Sequence, residues 1–333
     1  MFKRFSIIIA LPLFALALFF LPLAPTKTDA YADGRAEIAM ELNSGTVFHE
    51  KNADQKLPMA STTKIMTALI VAEECDLKQV ITVPDSAVGV EGSSIYLKYG
   101  EQISVEDLLY GLMLRSGNDA ACALAIHCGG SVEGFVDKMN KKAEELGAEN
   151  TRFVNPSGLP ADGHYTTARD LCNIARYAMQ NETFRTVVST TNYNGEFRSF
   201  TNKNKLLNML DGANGVKTGY TERAGRCLVS SAKRDNMDVV CVVLNCYDMW
   251  ERSTKIIEEC FNRFSVEEIK EDVVFRFKGK SLTLKENCFV TTQIGKELKY
   301  EIHGIERAED GAVAELKIYC ENNLIFCHNL YTI

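Results

Sequence analysis

The period of the hydrophobic positions changes several times along this chain, and each change marks an element. AEIAMELNSGTVFHEKN (36–52) reads as two short strands around Asn43-Ser44-Gly45, a hairpin turn signal. A helix begins near Ser61 and carries Ile65, Met66, Ala68, Leu69, Ile70 and Val71. VEDLLYGLMLRSGNDAACALAI (105–126) has helical spacing interrupted at Ser116-Gly117-Asn118, where Gly117 predicts two helices joined by a tight connection. VEGFVDKMNKKAEELG (132–147) is amphipathic, with Gly147 as its C-terminal cap, and ARDLCNIARYAMQN (168–181) is a further helix. GANGVKTGYT, CLVSSAKR and MDVVCVVLN, within 212–245, predict successive strands, and WERSTKIIEECFNRF (250–264) closes as a helix.

After residue 265 the texture changes. VVFRFK, SLTLKENCFVTT, LKYEIHG and AVAELKIYCENNLIFCHNL alternate apolar and polar positions with turns between them. The pattern predicts an α/β domain over 33–264, with helices flanking a mainly antiparallel sheet. A small all-β, sandwich-like domain over 265–333 follows it. The first 32 residues stand apart. Lys3 and Arg4 precede an apolar run from Ile7 to Leu23, and Ala30-Tyr31-Ala32 follows as a small-x-small cleavage site. This is the pattern of a secretory signal peptide, which places the remainder outside the cytoplasm. The run is near the shortest that spans a bilayer, so membrane contact is expected only if the segment stays uncleaved.

Composition narrows the partners. The chain has 333 residues, 46% of them hydrophobic, and a formal net charge of -7. No clustered basic face is present, which argues against a nucleic-acid partner. The 11 cysteines show no C-x-x-C, and an odd count cannot pair completely within one chain. Several lie in apolar runs, such as Cys122 in AACALAI and Cys241 in VVCVVL, and read as buried small hydrophobes; a few disulfides remain open. No Cys/His group shows metal-ligand spacing, and no organic cofactor is called for.

The chemistry starts from Lys64, set at the head of an otherwise apolar helix. In Ser61-x-x-Lys64 the two side chains share one helix face, so the amine can reach the hydroxyl. A serine needs a base to act as nucleophile. For Lys64 to serve near neutral pH its pKa must lie about three units below ~10.4, a difference of roughly 4 kcal/mol. Apolar burial and a second cation both act in that direction. Alone, S-x-x-K is a weak signal. Ser116-Gly117-Asn118 adds a hydroxyl and an amide at a helix junction, and Lys217-Thr218-Gly219 adds a cation, a hydroxyl and a glycine in a strand. The glycine admits a close approach to the backbone. In this order, 55 and 101 residues apart, the three triplets form a strong set.

Ser-x-x-Lys, Ser-x-Asn and Lys-Thr-Gly in that order are the signature of penicillin-binding proteins and serine β-lactamases. MASTTKIMTALI, GSSIYLKYGE, DLLYGLMLRSGNDAA, HYTTARDL, NKNKLL and GVKTGYTERAGRCLV resemble the low-molecular-mass D-alanyl-D-alanine carboxypeptidases, over about residues 35 to 265. The resemblance implies that Ser61 attacks the carbonyl between the two terminal D-alanines of a peptidoglycan stem peptide, and that Lys64 takes its proton. It further implies that Ser116 relays a proton to the departing D-alanine and that Asn118 holds the substrate amide. Lys217 would contribute charge, Thr218 would bind the terminal carboxylate, and the N–H groups of Ser61 and Tyr220 would form the oxyanion hole, with Gly219 beside them. Arg252, in WERSTK, stands near the family's carboxylate-binding arginine. β-Lactam antibiotics would acylate Ser61 as slow substrates. Unlike the anchored members, this chain ends in IFCHNLYTI, which has no amphipathic helical stripe.

Three other readings compete. A class A β-lactamase needs a deacylating glutamate in Glu-x-x-x-Asn, which is absent between 119 and 216. A transpeptidase or endopeptidase uses the same acyl-enzyme with a different acceptor or scissile bond. A non-catalytic β-lactam sensor would be free to lose motif residues that are all present here.

Overall fold

The computed structural model describes residues 34–306, 308 and 310–333; the expected export segment lies outside them. Strands β1 (Ala36–Glu41) and β2 (Val47–Lys51) form the expected hairpin. They belong to a five-stranded antiparallel sheet ordered β2-β1-β9-β8-β7, with β7 (Ala213–Thr221), β8 (Gly225–Arg234) and β9 (Met237–Leu244). β9 is MDVVCVVL and every residue in it is buried. Such a run needs apolar cover on both faces. Val240, Val242 and Leu244 enter one core, while Val239, Cys241 and Val243 enter another.

The larger core lies under helices α1 (Lys64–Glu74), α2 (Val105–Leu114), α3 (Asn118–Gly129), α4 (Val132–Glu145), α5 (Ala168–Gln180) and α6 (Glu182–Ser189). α1 is buried on all sides from Lys64 to Val71 and packs against α2, α3 and α5. A helix apolar all round belongs in the middle of a core, and this position carries Lys64 out of water. α4, α5 and α6 begin at Ser131, Thr167 and Asn181, whose side chains accept the N–H of Gly134, Asp170 and Phe184. Gly147, at φ +68°, follows α4 as expected. The four-residue α7 (Leu206–Met209) precedes β7, and α8 (Met249–Arg263) covers the second core.

Two hairpins escape the periodicity because each strand has three residues: β3 (Val80–Thr82) with β4 (Gln102–Ser104), and β5 (Asn192–Asn194) with β6 (Ser199–Thr201). α6 was likewise not expected.

β10 (Phe264–Ile269) starts directly after α8 and pairs with β13 (Cys288–Gln293). β11 (Phe275–Phe277), β12 (Lys280–Thr283), β14 (Leu298–Gly304), β15 (Ala314–Cys320) and β16 (Asn323–Thr332) form a second sheet ordered β11-β12-β16-β15-β14. Both sheets contribute to one core through Ile269, Cys288 and Val290 from the first and Leu282, Leu316, Ile318 and Leu330 from the second. Two sheets over a shared core are a sandwich. Phe48 of β2 packs on Phe264, with ring centroids 4.5 Å apart. Among the described residues no helix is long and apolar enough to cross a membrane. Cys172, Cys227, Cys241, Cys260 and Cys288 are buried thiols, as their apolar surroundings suggest, whereas Cys122, also expected to be buried, is half-buried, and Cys75 and Cys128 are joined by a disulfide.

Candidate active site

Ser61 sits in a 3-10 turn, Ala60–Thr63, that leads into α1. The turn is held by its own hydroxyls: Thr62 Oγ1 donates to Met59 O at 2.6 Å and Thr63 Oγ1 donates to Ala60 O at 2.9 Å. Ala60 has φ +49°, a left-handed conformation uncommon outside glycine. Behind the turn stands buried His164. Its Nδ1 accepts the Val154 N–H at 3.0 Å, so the ring proton is on Nε2, which donates to Thr63 Oγ1 at 2.8 Å. Burial brings the His164 pKa down to about 4.

Lys64 is fully buried, and its Nζ has three close neighbours: Ser61 Oγ at 3.1 Å, Asn118 Oδ1 at 2.6 Å and the Ser157 carbonyl at 2.5 Å. Burial first, then the charge of Lys217, hold its pKa well below the ordinary lysine value; Asp119 opposes this and Lys203 adds to it. An ammonium in such a place loses its hydration, and a neutral amine does not suffer that loss.

The second and third motifs converge on the same point. Ser116 is buried at the α2–α3 junction with φ +66°, and Asn118 opens α3. Besides accepting from Lys64, Asn118 donates through Nδ2 to Glu91 O at 2.5 Å and through its N–H to Ser93 O at 2.7 Å. Asp119 takes the Ser94 hydroxyl at 2.6 Å and the N–H groups of Ile95 and Leu97 at 3.0 and 3.1 Å, which fastens this loop to α3. Lys217 is buried in β7, donates to Thr218 O at 2.9 Å, and is brought down to about 7 by burial and by Lys203.

β7 is the edge strand of the sheet and packs against the 3-10 turn. Gly219 makes that contact possible, since a Cβ there would lie 3.0 Å from Ser61 N and 3.1 Å from Thr62 N. On the other side Gly158, at φ +88°, approaches the Ala60 carbonyl. Asn155 Oδ1 fixes that loop by accepting the N–H groups of Ser157, Gly158 and Leu159 at 3.2, 2.7 and 3.2 Å. Ser61, Asn118, Ser157, Gly158, Tyr220 and Arg223 line a cavity of about 610 Å³.

Arg252 lies elsewhere. Its guanidinium grips the buried Glu37 of β1 with Nε–Oε1 at 2.9 Å and Nη2–Oε2 at 2.7 Å, and β1 is three strands away from β7. Burial alone would raise the Glu37 carboxyl, but His49, Arg252 and the Gly34 N–H bring it down to about 2. The pairing ties Arg252, a partly buried residue in the first turn of α8, to the buried Glu37 of β1. Sequence reasoning missed the Ser157 and Glu91 carbonyls, and it quoted His164 in HYTTARDL and Lys203 in NKNKLL without giving either a role. The carbonyls carry no side-chain signal. Among the described residues one group, Cys75, His127 and Cys128, has potential metal-ligand atoms within 4.8 Å of one another, and none of the three lines the Ser61 cavity.

A profile of the family described as D-alanyl-D-alanine carboxypeptidase, Peptidase S11, matches residues 24–248. The chain is 34% identical over 290 residues to the D-alanyl-D-alanine carboxypeptidase DacF of Bacillus subtilis, covering 80% of this chain and 74% of that one. It is 40% identical over 228 residues to a D-alanyl-D-alanine carboxypeptidase of Streptomyces sp. K15, covering 62% and 78%. Among solved structures, penicillin binding protein 5 from Haemophilus influenzae superposes with a TM-score of 0.79 at 27% identity, over 91% of this chain and 97% of that one.

Proposed function

The chain belongs to the D-alanyl-D-alanine carboxypeptidase family of serine-type peptidases, and we propose that Ser61 is its nucleophile, activated by a neutral Lys64. The protein removes the terminal D-alanine from peptidoglycan peptides ending in D-alanyl-D-alanine, and it is a target of β-lactams. The observation that carries the assignment is the shell around Lys64 Nζ. A neutral amine has two N–H groups and one lone pair. Asn118 Oδ1 and the Ser157 carbonyl take the two N–H groups, which leaves the lone pair for the Ser61 hydroxyl.

Substrate enters as an added strand along the open edge of β7. Thr218 and Lys217 hold its terminal carboxylate, and Asn118 orients its amide. Ser61 attacks, Lys64 takes the proton, and the N–H groups of Ser61 and Tyr220 stabilise the oxyanion; each such donor is worth roughly 3–4 kcal/mol in the transition state. Ser116 passes the proton held by Lys64 to the departing D-alanine amine, which returns Lys64 to its neutral form. Water then enters, Lys64 takes its proton, and the acyl-enzyme is hydrolysed as that proton returns to Ser61 Oγ. A β-lactam follows the same path to the acyl-enzyme and leaves slowly. We assign Arg252 to holding Glu37 and not to the substrate. We place the catalytic domain at 33–264, the β-sandwich at 265–333, and residues 1–32 as the export signal that delivers both outside the cytoplasm.

The test is release of free D-alanine from a pentapeptide ending in D-Ala-D-Ala. Release by the native protein that disappears in Ser61→Ala, together with covalent penicillin labelling, is expected. Labelling that persists in Ser61→Ala would overturn the nucleophile. Labelling without release would move the reading to a transpeptidase, an endopeptidase or a sensor.

A further inference from the structure

The two helices that meet at Lys64 are also joined at their other ends. α1 begins with Lys64 and α3 begins with Asn118, and these heads share the 2.6 Å bond between Nζ and Oδ1. At the tails, Cys75 caps the C-terminus of α1 and Cys128 lies in the last turn of α3. They form a disulfide with Cα atoms 6.5 Å apart across a sequence separation of 53. His127, beside Cys128, brings a ring nitrogen within 4.8 Å of both sulfurs. All three residues are partly exposed, whereas Cys172, Cys227, Cys241, Cys260 and Cys288 are buried.

We propose that Cys75–Cys128 is a site of reversible thiol–disulfide exchange with an external dithiol, and that His127 supplies the proton to the leaving sulfur. A thiolate of the dithiol attacks one protein sulfur. The Cys75–Cys128 bond breaks and a mixed disulfide forms. The expelled sulfur would be a thiolate at a helix C-terminus, where the peptide dipoles disfavour negative charge. The His127 ring, with a nitrogen within 4.8 Å of both sulfurs, is placed to hand a proton to the expelled sulfur and remove that obstacle. The second thiol of the reagent then displaces the mixed disulfide. Two electrons pass from the dithiol to the protein, the reagent becomes a disulfide, and Cys75 and Cys128 end as thiols.

Partial exposure of Cys75 and Cys128 admits the reagent, and their neighbour removes the chemical barrier. A bond serving only as a permanent brace needs neither feature. The loop the bond closes contains Ser116, Asn118 and the Glu91–Leu97 segment fastened to α3. The redox state of the pair therefore sets how firmly the catalytic heads are held against thermal disruption.

The experiment uses the full chain prepared without reductant, with dithiothreitol as the dithiol. Aliquots are quenched with iodoacetamide and the cysteine peptides are weighed. Cys75 and Cys128 should gain alkyl groups together while penicillin labelling persists and Cys172 and Cys241 stay unmodified. The reduced protein should lose labelling several-fold faster on heating. His127→Ala should slow the exchange several-fold, with penicillin labelling as the check that the variant is folded. Free thiols at both positions in the untreated protein, reduction only after denaturation, or an unchanged rate in His127→Ala would each overturn the proposal. So would thiolate-to-metal absorption on adding Co²⁺ to the reduced protein, which would make the three residues a metal site. Alkylation is read without reference to D-alanine release, so failure here is distinct from failure of the proposed function.

Discussion

Gly158 and Ala60 meet so closely that a Cβ on Gly158 would lie 1.9 Å from the Ala60 carbonyl oxygen. Ala60 precedes Ser61, the proposed nucleophile, and Ser157, which precedes Gly158, offers its carbonyl to Lys64. One contact therefore sets the distance between the serine turn and an acceptor that orients its base. Gly158 is also in the left-handed region, at φ +88°. We expect Gly158→Ala to cost ~2–3 kcal/mol in backbone strain and to lower the second-order rate of penicillin acylation by more than about tenfold. Stopped-flow acylation and thermal unfolding measure the two effects. A variant acylated at the native rate would show that the contact does not position the base.

Lys203 bears on the pH dependence. Its positive charge lowers the pKa of both Lys64 and Lys217. With Lys64 as the proposed base, acylation needs its neutral form, so the rate is expected to rise with pH through the Lys64 pKa. Lys203→Ala removes a repelling charge, both lysines hold their protons more tightly, and the ascending limb moves to higher pH. A pH profile of acylation in which the limb stays in place would remove Lys203 from the electrostatics of the site.

His164 gives an acid-sensitive term in stability. Its folded pKa of about 4 lies below the ordinary value of 6.5. The unfolded chain thus binds the proton more readily, and the stabilisation is complete above about 6.5 and lost as pH falls through about 4. The cause is burial of the ring; a protonated ring would also direct an N–H at the Val154 N–H, which Nδ1 now accepts. The difference corresponds to about 3 kcal/mol. Lys217 acts in the same direction at higher pH: its contribution is present above the ordinary lysine value and lost as pH falls through about 7. Thermal unfolding from pH 7 to 4 should show a shallower decline for His164→Phe than for the native protein. Equal slopes would count against the assignment.

Arg252 distinguishes a core role from a substrate role. Removing it leaves Glu37, with a fully buried side chain, without its doubly bonded partner. Breaking a buried pair from one side costs about 3–5 kcal/mol. Arg252→Ala should therefore unfold at lower denaturant concentration while the KM of its folded fraction stays near the native value. A raised KM with unchanged stability would return Arg252 to the substrate carboxylate.

The sequence by itself determined the three motifs, the long helices and the buried strand MDVVCVVL. Each is written in local spacing or in a period that reports burial. It also determined that Lys64 stands in an apolar helix, whose burial is the first reason its pKa lies well below the ordinary lysine value. Only the tertiary structure decided what surrounds that amine. The Ser157 and Glu91 carbonyls are backbone atoms that every residue possesses, so no letter of the sequence marks them. Arg252 and Glu37 are 215 positions apart, and His164 is 101 positions from Thr63. Cys75 and Cys128 are 53 apart. Periodicity shows that a face is covered but does not name the cover. The covering partner is set by strand order and helix packing, which depend on the whole chain closing at once.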